Sequence, residues 1–185
     1  MTPPARPTTE PMIARPLADA ALDEQTAALA APTSEAPRAQ ASLLVFRVAG
    51  ERFGLPATAV ERIFLPTPLR RVPHRHQPAF RGLVAHEGEI VLAASIERLL
   101  DLPAAPTPAA TSRFVMLGPA GRGWAFEVDE VEGVFSVPTG DMRPAPMTVA
   151  RGKGTASRML VHVEGSDVAV LDPEALRAGW EAAAT

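Results

Sequence analysis

Few side chains in this sequence have the types and spacing that chemistry requires. His74 and His76 are separated by one residue and could ligate a metal ion if His86 or Glu87 came near, but a metal site usually needs a third ligand of fixed geometry. The segment 151–155 (RGKGT) resembles a phosphate-binding loop, yet such a loop needs Ser or Thr directly after the Lys. No Gly-x-Ser-x-Gly nucleophile motif occurs. The sequence therefore predicts a protein that is not an enzyme and holds no cofactor and no metal, with metal binding by the histidine loop as an alternative.

Charged residues are unevenly distributed, although the net charge is only −3. No acidic residue lies between Glu61 and Glu87, and this basic stretch contains Arg62, Arg70, Arg71, Arg75 and Arg81. The second half contains Glu127, Asp129, Glu130 and Glu132. Such segregation is typical of two solvated faces. It also fits a head-to-tail contact in which the basic half of one molecule meets the acidic half of another.

The basic 62–81 segment suggests an alternative function, a small β-barrel that binds nucleic acid through its phosphates. Aromatic side chains that stack on bases normally accompany the basic residues of such a surface. The chain has no Tyr, and the rings nearest to this segment are Phe64 and Phe80. We therefore expect no nucleic acid among the partners and keep this function as the alternative.

Residues 1–41 are expected to form a disordered N-terminal extension. They contain seven Pro, twelve Ala and no Gly, with almost no large apolar side chains, so they cannot bury enough surface to offset the entropy of ordering. The chain has no Cys, no secretory signal and no apolar run of the roughly 18 residues that cross a membrane. These features predict a cytoplasmic protein without direct membrane insertion.

The remaining sequence contains an internal repeat. Residues 44–64 match residues 115–135 at an offset of 71, and residues 83–100 match residues 160–177 at an offset of 77. In both pairs a Gly coincides with a Gly at the turn. A repeat of this length exceeds the units of solenoid proteins and predicts two copies of a small β domain.

Many short strands separated by Gly and Pro turns predict an all-β fold of small barrels with short helices. Glu87-Gly88 is predicted to be a hairpin turn, because Gly readily adopts positive φ. Asp172 followed by Pro173 is typical of a helix start, with Asp as N-cap. The predicted segments are barrel one (about 42–102), a linker (103–110), barrel two (about 111–171) and a C-terminal helix (172–182).

Residues 42–185 resemble the CheW-like domain of bacterial chemotaxis in several segments that occur in the family's order. Residues 43–63 (LLVFRVAGERFGLPATAVERI) are similar to the opening strands of the family, and residues 78–91 (PAFRGLVAHEGEIV) to its first long hairpin. Residues 142–146 (MRPAP) and the closing LDPEAL at 171–176 complete the resemblance. It implies two pseudo-symmetric five-stranded SH3-like β-barrels that share a hydrophobic core.

The resemblance also implies a non-catalytic adaptor. Proteins of this family join the regulatory domain of a CheA-type histidine kinase to the cytoplasmic tip of a methyl-accepting chemoreceptor in a receptor array. This chain has Arg62 where the family usually has Glu, and Glu87 where it usually has Arg. We hypothesise that the two side chains pair with their charges exchanged. Such an exchange would favour a dedicated partner in an accessory or non-flagellar system.

A partner-binding surface is predicted on barrel one. Arg62 and Glu87 would set the register of the contact, and exposed Gly would allow close approach of a backbone. Ile63 and Val91 are instead expected in the barrel core, because alternate residues of each strand point inward. The predicted partner-binding residues are Val60, Arg62, Val84, Glu87 and Gly88.

Overall fold

The computed structural model describes residues 39–73, 77–103, 110–118, 122–145 and 156–184. Four sequence predictions concern residues that lie mostly or wholly outside these ranges. They are the disordered extension, the pair of His74 and His76, the linker at 103–110 and the 151–155 loop.

The described residues form eleven strands and two α-helices, so the prediction of an all-β fold with short helices is confirmed. The strands are β1 (Gln40–Val48), β2 (Glu51–Pro56), β3 (Val60–Phe64), β4 (Phe80–His86), β5 (Glu89–Ala94), β6 (Arg113–Leu117), β7 (Trp124–Val128), β8 (Glu130–Pro138), β9 (Arg143–Pro144), β10 (Ser157–Val163) and β11 (Ser166–Leu171). The α-helices are α1 (Ile96–Leu99) and α2 (Pro173–Ala184), and 3₁₀ helices cover Ala57–Ala59 and Thr139–Asp141.

Two mixed sheets contain these strands. The strand order is β8-β1-β2-β11-β10-β9 in the first sheet and β3-β6-β7-β5-β4 in the second. Neighbouring strands are antiparallel except for one parallel contact in each sheet, β2 with β11 and β7 with β5. The two orders are equivalent under the sequence repeat, apart from the added two-residue strand β9. The predicted pseudo-symmetry is therefore present.

Each sheet combines strands from both copies of the repeat. Hairpin β1–β2 of the first copy pairs with β8 and β11 of the second, and hairpin β6–β7 of the second copy pairs with β3 and β5 of the first. This exchange departs from the predicted barrels at 42–102 and 111–171. The sequence offset identifies which segments are copies of each other, but it carries no information on the copy with which a segment pairs.

Burial on both faces explains why the exchanged hairpins lie centrally. Successive side chains of a strand point to opposite faces, and β1 and β6 each supply two different apolar clusters. Both strands consequently read as unbroken apolar runs, LLVF and FVML. The interior of the first sheet includes Leu43, Val45, Val161 and Val168, the interior of the second includes Phe64, Val84, Phe114 and Met116, and the shared cluster between the sheets includes Phe46, Phe53, Leu117 and Phe126.

Helix α2 closes the shared cluster. Trp180 is fully buried, and its ring centroid lies 5.4 Å from that of Phe126 and 5.9 Å from that of Trp124. The predicted N-cap is confirmed, because the Asp172 side chain accepts hydrogen bonds from two backbone N–H groups of the first turn. With 12 residues, α2 is the longest helix in the described ranges, and none of the helices there could cross a membrane.

Candidate functional site

An apolar groove lies between an edge strand of each sheet. Strand β8 is at the edge of the first sheet and β3 at the edge of the second, and both contribute to a groove of about 300 Å³. Apolar side chains make up most of its lining, with one acidic and one basic residue. The lining residues are Leu44, Ala57, Val60, Glu61, Arg62, Ile63 and Val134.

Ile63 and Val134 give the groove its exposed apolar surface. Their exposed fractions are 41% and 62%, and they occupy equivalent positions in the two copies of the repeat. The side chain of neighbouring Phe64 is buried in the apolar cluster of the second sheet. Since successive side chains of a strand lie on opposite faces, the side chain of Ile63 lies on the exposed face. The prediction that Ile63 belongs to the core is therefore wrong, whereas Val91 is buried as predicted.

Arg62 joins the groove to the β4–β5 turn. It lines the groove wall, and its Nη1 donates a hydrogen bond to Oε2 of Glu87. Strands β3 and β4 are the two edges of the second sheet, and this ion pair joins the β3 edge to the turn that follows β4. The hypothesised pairing of the exchanged charges is thus present. Both side chains are more than a third exposed, so the pair contributes at most about 1 kcal/mol to stability.

His86 packs against the same junction. Its ring stacks on Phe64, with centroids 4.0 Å apart and planes inclined by 15°. Phe64 stacks in turn on buried Phe114, with a centroid distance of 5.4 Å. The Nε2 atom of His86 lies 3.9 Å from Oε2 of Glu87, which is too long for a hydrogen bond.

The structure separates the predicted partner-binding residues into three groups. Val60 and Arg62 line the groove. Glu87 and Gly88 form the exposed β4–β5 turn, with φ angles of 48° and 84°. Val84 is only 1% exposed and packs inside the second sheet, so its prediction as a partner contact is wrong. The alternation of β4 directs this side chain inward.

The acidic residues of the second half contact groups of the same chain. Glu127 forms an ion pair with Arg81 at 2.9 Å, and an Asp129 oxygen accepts a hydrogen bond from the backbone N–H of Ala49 at 2.7 Å. Glu130 lies 4.0 Å from Arg47. These acidic residues are therefore engaged by groups of the same chain, although of the residues in the basic 62–81 stretch these contacts involve Arg81 alone. The head-to-tail contact stays a hypothesis.

Glu132 has the most extensive of these contacts. Arg52 Nε donates to both carboxylate oxygens of Glu132, at 3.0 and 3.1 Å, and Arg47 Nε lies 2.8 Å away. The hydrogen bond from Arg52 and the charges of both arginines lower the pKa of Glu132, against an opposing effect of burial. Arg52 also donates to the Val163 carbonyl at 2.8 Å and to the Ser166 hydroxyl. It thereby ties β2 to β8 and to the β10–β11 hairpin.

The basic 62–81 segment is only partly free to contact another molecule. Arg62 and Arg81 are paired with carboxylates, and the backbone of Arg70 pairs with Leu83 of β4. Arg75, like the histidine pair, lies outside the described residues. Within the described ranges no three potential metal ligands cluster together.

Sequence reasoning missed Ile63 and Val134 as surface residues, although the pattern contained a signal. On β3, Glu61 and Ile63 are two residues apart, the spacing of side chains on one face of a strand, and both are exposed. A charged residue on that face indicates that the face is exposed. Val134 could be found from the repeat, because it is equivalent to Ile63, whereas Glu132 on β8 is largely buried beside Arg52 and gives no such signal.

The fold and groove define a duplicated all-β domain in which two sheets of equivalent topology exchange hairpins. The family model of the CheW-like domain matches residues 42–179. The chain belongs to the CheW-like domain family.

Comparison with solved structures finds the scaffolding protein TtCheW from Thermoanaerobacter tengcongensis, with a TM-score of 0.63 and 16% sequence identity. The match covers 72% of this chain and 85% of that protein, and at this identity it supports the fold alone. Comparison with curated proteins finds no match.

Proposed function

We propose that this protein is a non-catalytic adaptor that links a chemoreceptor to a CheA-type histidine kinase in a receptor array. Membership of the CheW-like family supports this function. The observation that carries it is the apolar groove between β3 and β8, with Ile63 and Val134 exposed. Exposed large apolar side chains grouped in a concave surface are typical of sites that bind another macromolecule.

The groove suits a helix from the cytoplasmic tip of the chemoreceptor. An amphipathic helix binds by laying its apolar face into an apolar groove, and Val60, Ile63 and Val134 supply such a surface. Glu61 and Arg62 border it with one charge of each sign. These charges set the orientation of the bound helix, because electrostatic complementarity contributes more to register than to affinity.

The β4–β5 hairpin suits the second partner, the regulatory domain of the kinase. Its cross-strand pair Ala85 and Ile90 is exposed, with Ile90 at 66%. The turn residues Glu87 and Gly88 adjoin this pair, and a Cβ at Gly88 would meet no atom within 4 Å. A partner backbone can therefore approach the turn closely. Separate surfaces for the two partners allow both to bind at once, as an adaptor requires.

Binding measurements on the full chain test this proposal. Val134→Glu places a charge in the groove and Ile90→Glu places one on the hairpin, while Ala182→Glu adds the same charge to an exposed position of α2. We expect Val134→Glu to weaken binding of the receptor tip at least about tenfold, equivalent to about 1.4 kcal/mol, with kinase binding unchanged. Ile90→Glu should have the opposite selectivity, and Ala182→Glu should affect neither. Loss of neither interaction in the first two variants would contradict the proposal.

A further inference from the structure

Arg62 binds a carboxylate oxygen of Glu87, and the His86 ring lies near the same oxygen. Arg62 Nη1 donates to Oε2 of Glu87, and His86 Nε2 lies 3.9 Å from the same atom. Arg62 also lines the groove, whereas Glu87 and His86 do not. The charge on the groove wall therefore depends on an interaction that takes place outside the groove.

The position of the His86 ring is fixed by packing. Its stacking on Phe64, at a centroid distance of 4.0 Å, holds one face of the ring against the second sheet, and the side chain is 21% exposed. Proton exchange with solvent remains possible at this exposure. The ring cannot move far from Glu87 without losing the stacking contact.

Several charged groups surround the His86 ring, and protonation of the ring would change how they pair. Arg62 faces it from β3, Glu87 from the turn and Glu89 from β5 as the cross-strand partner of His86. Arg70 lies beside β4, where its backbone pairs with Leu83. An imidazolium would have two carboxylates close by and would compete with Arg62 for Oε2 of Glu87.

We propose that His86 is a proton-dependent switch that controls whether the guanidinium of Arg62 is neutralised by Glu87 or is available to a partner in the groove. Histidine is the side chain that ordinarily changes charge between pH 5 and 8. With neutral His86, Glu87 is bound to Arg62 and neutralises the positive charge of Arg62 on the groove wall. With protonated His86, Glu87 is shared and Arg62 favours an acidic side chain on the bound helix. The effect on a receptor rests on the proposed function, but the switch itself does not.

NMR spectroscopy of the free full-length protein tests the switch without any partner. Between pH 7.5 and 5.5 we expect the Arg62 Nε–Hε signal to shift with the same midpoint as the His86 ring protons. The shift should disappear in His86→Phe, which retains an aromatic ring on Phe64 but binds no proton, and in Glu87→Gln, which removes the shared charge. An Arg62 signal that does not follow His86, or that follows pH equally in His86→Phe, would overturn the proposal.

Binding of the purified receptor tip measures the consequence in the groove. We expect affinity to be about two- to fivefold higher at pH 5.5 than at pH 7.5 in the wild type, the range that one exposed ion pair supports, and unchanged with pH in His86→Phe. An equal pH dependence in both proteins would overturn the role of His86. Absence of receptor binding at every pH would contradict the proposed function, and the Arg62 signal would still decide the switch.

Discussion

Gly82 shows how a single residue allows the segment around Arg70 to pack on the second sheet. Its φ is 136°, and a Cβ at this position would lie 2.3 Å from the Arg70 carbonyl oxygen. Residues 70 and 83 exchange two backbone hydrogen bonds of 2.8 Å at this point. Any residue other than Gly at position 82 therefore conflicts with the backbone conformation there and with the close approach of the Arg70 carbonyl.

Gly82→Ala is expected to lower the free energy of unfolding by about 1–3 kcal/mol, the cost of one such strained residue. Gly140→Ala is the control, because a Cβ there meets nothing within 4 Å, and it should change stability by no more than about 0.5 kcal/mol. Chemical denaturation of both variants measures the difference. Equal stability of the two variants would show that the approach of residues 70 and 82 is not needed.

Because of Glu132, the stability of the protein is expected to decrease in the acid pH range. The hydrogen bond and charge of Arg52, with the charge of Arg47, keep the pKa of Glu132 below its ordinary value in the folded protein. A lowered folded-state pKa contributes stability that is present above the ordinary pKa and is lost as the pH falls through the lowered value.

Glu132→Gln should therefore destabilise the protein by about 1.5–3 kcal/mol at neutral pH, the usual contribution of a hydrogen bond to a charged group. The difference from the wild type should shrink as the pH falls below about 4. Glu130→Gln, at a residue 4.0 Å from Arg47 with a half-exposed side chain, is the control and should have little effect. Denaturation curves from pH 7 to pH 3 measure both. A Glu132→Gln difference that stays constant over this range would contradict the assigned ion pair.

At the scale of elements, helix α2 stabilises the contact between the sheets. Trp180 contacts Phe126 and Trp124 of the second sheet, and its Nε1–H donates to the Ser95 carbonyl at 3.4 Å. Gly179 allows this packing, because a Cβ there would lie 2.5 Å from a methyl group of Leu99 in α1. Helix α2 thus packs against α1, its equivalent in the other copy.

Trp180→Ala should destabilise the protein by about 3–5 kcal/mol, because it leaves a large cavity in the shared cluster. Ala178→Ser changes an exposed position of the same helix and should cost no more than about 0.5 kcal/mol. Thermal unfolding followed by circular dichroism measures both. A small effect of Trp180→Ala would mean that α2 is not needed to close the cluster.

Most elements could be predicted from the sequence, but their partners could not. The strand at SLLVFRVA, the Glu87-Gly88 turn and the Asp172-Pro173 helix start depend on local chemistry and are found as expected. The exchange of hairpins depends on which apolar faces are buried together, and a repeat offset does not contain that information. Likewise, Arg62 and Glu87 could be paired from their unusual charges, whereas the groove that Arg62 borders requires β3 and β8 to be placed side by side.

At the scale of the whole molecule, the exchange makes the two halves interdependent. Each sheet takes two central strands from one half and its remaining strands from the other. If the chain were divided at the linker, the fragment 39–103 would contain hairpin β1–β2 without β8 and β11, the strands with which it pairs. Neither half can therefore complete a sheet or the shared cluster alone.

Fragments 39–103 and 110–185 should each lack cooperative unfolding when purified separately, and should recover native-like circular dichroism and one cooperative transition when mixed. The intact chain is the reference, and each fragment mixed with a second sample of itself is the control. Cooperative folding of either fragment by itself would contradict the exchanged pairing of β1–β2 and β6–β7.

The central claim is that this protein bridges a receptor and a kinase, and co-sedimentation tests it most directly. Membrane particles carrying the cognate chemoreceptor are mixed with the CheA-type kinase, with the full chain present, absent or replaced by the Val134→Glu variant. The account predicts that the kinase sediments with the receptor in the presence of the wild-type chain and much less with the variant or without the chain. Kinase sedimentation that does not depend on the chain would contradict the account.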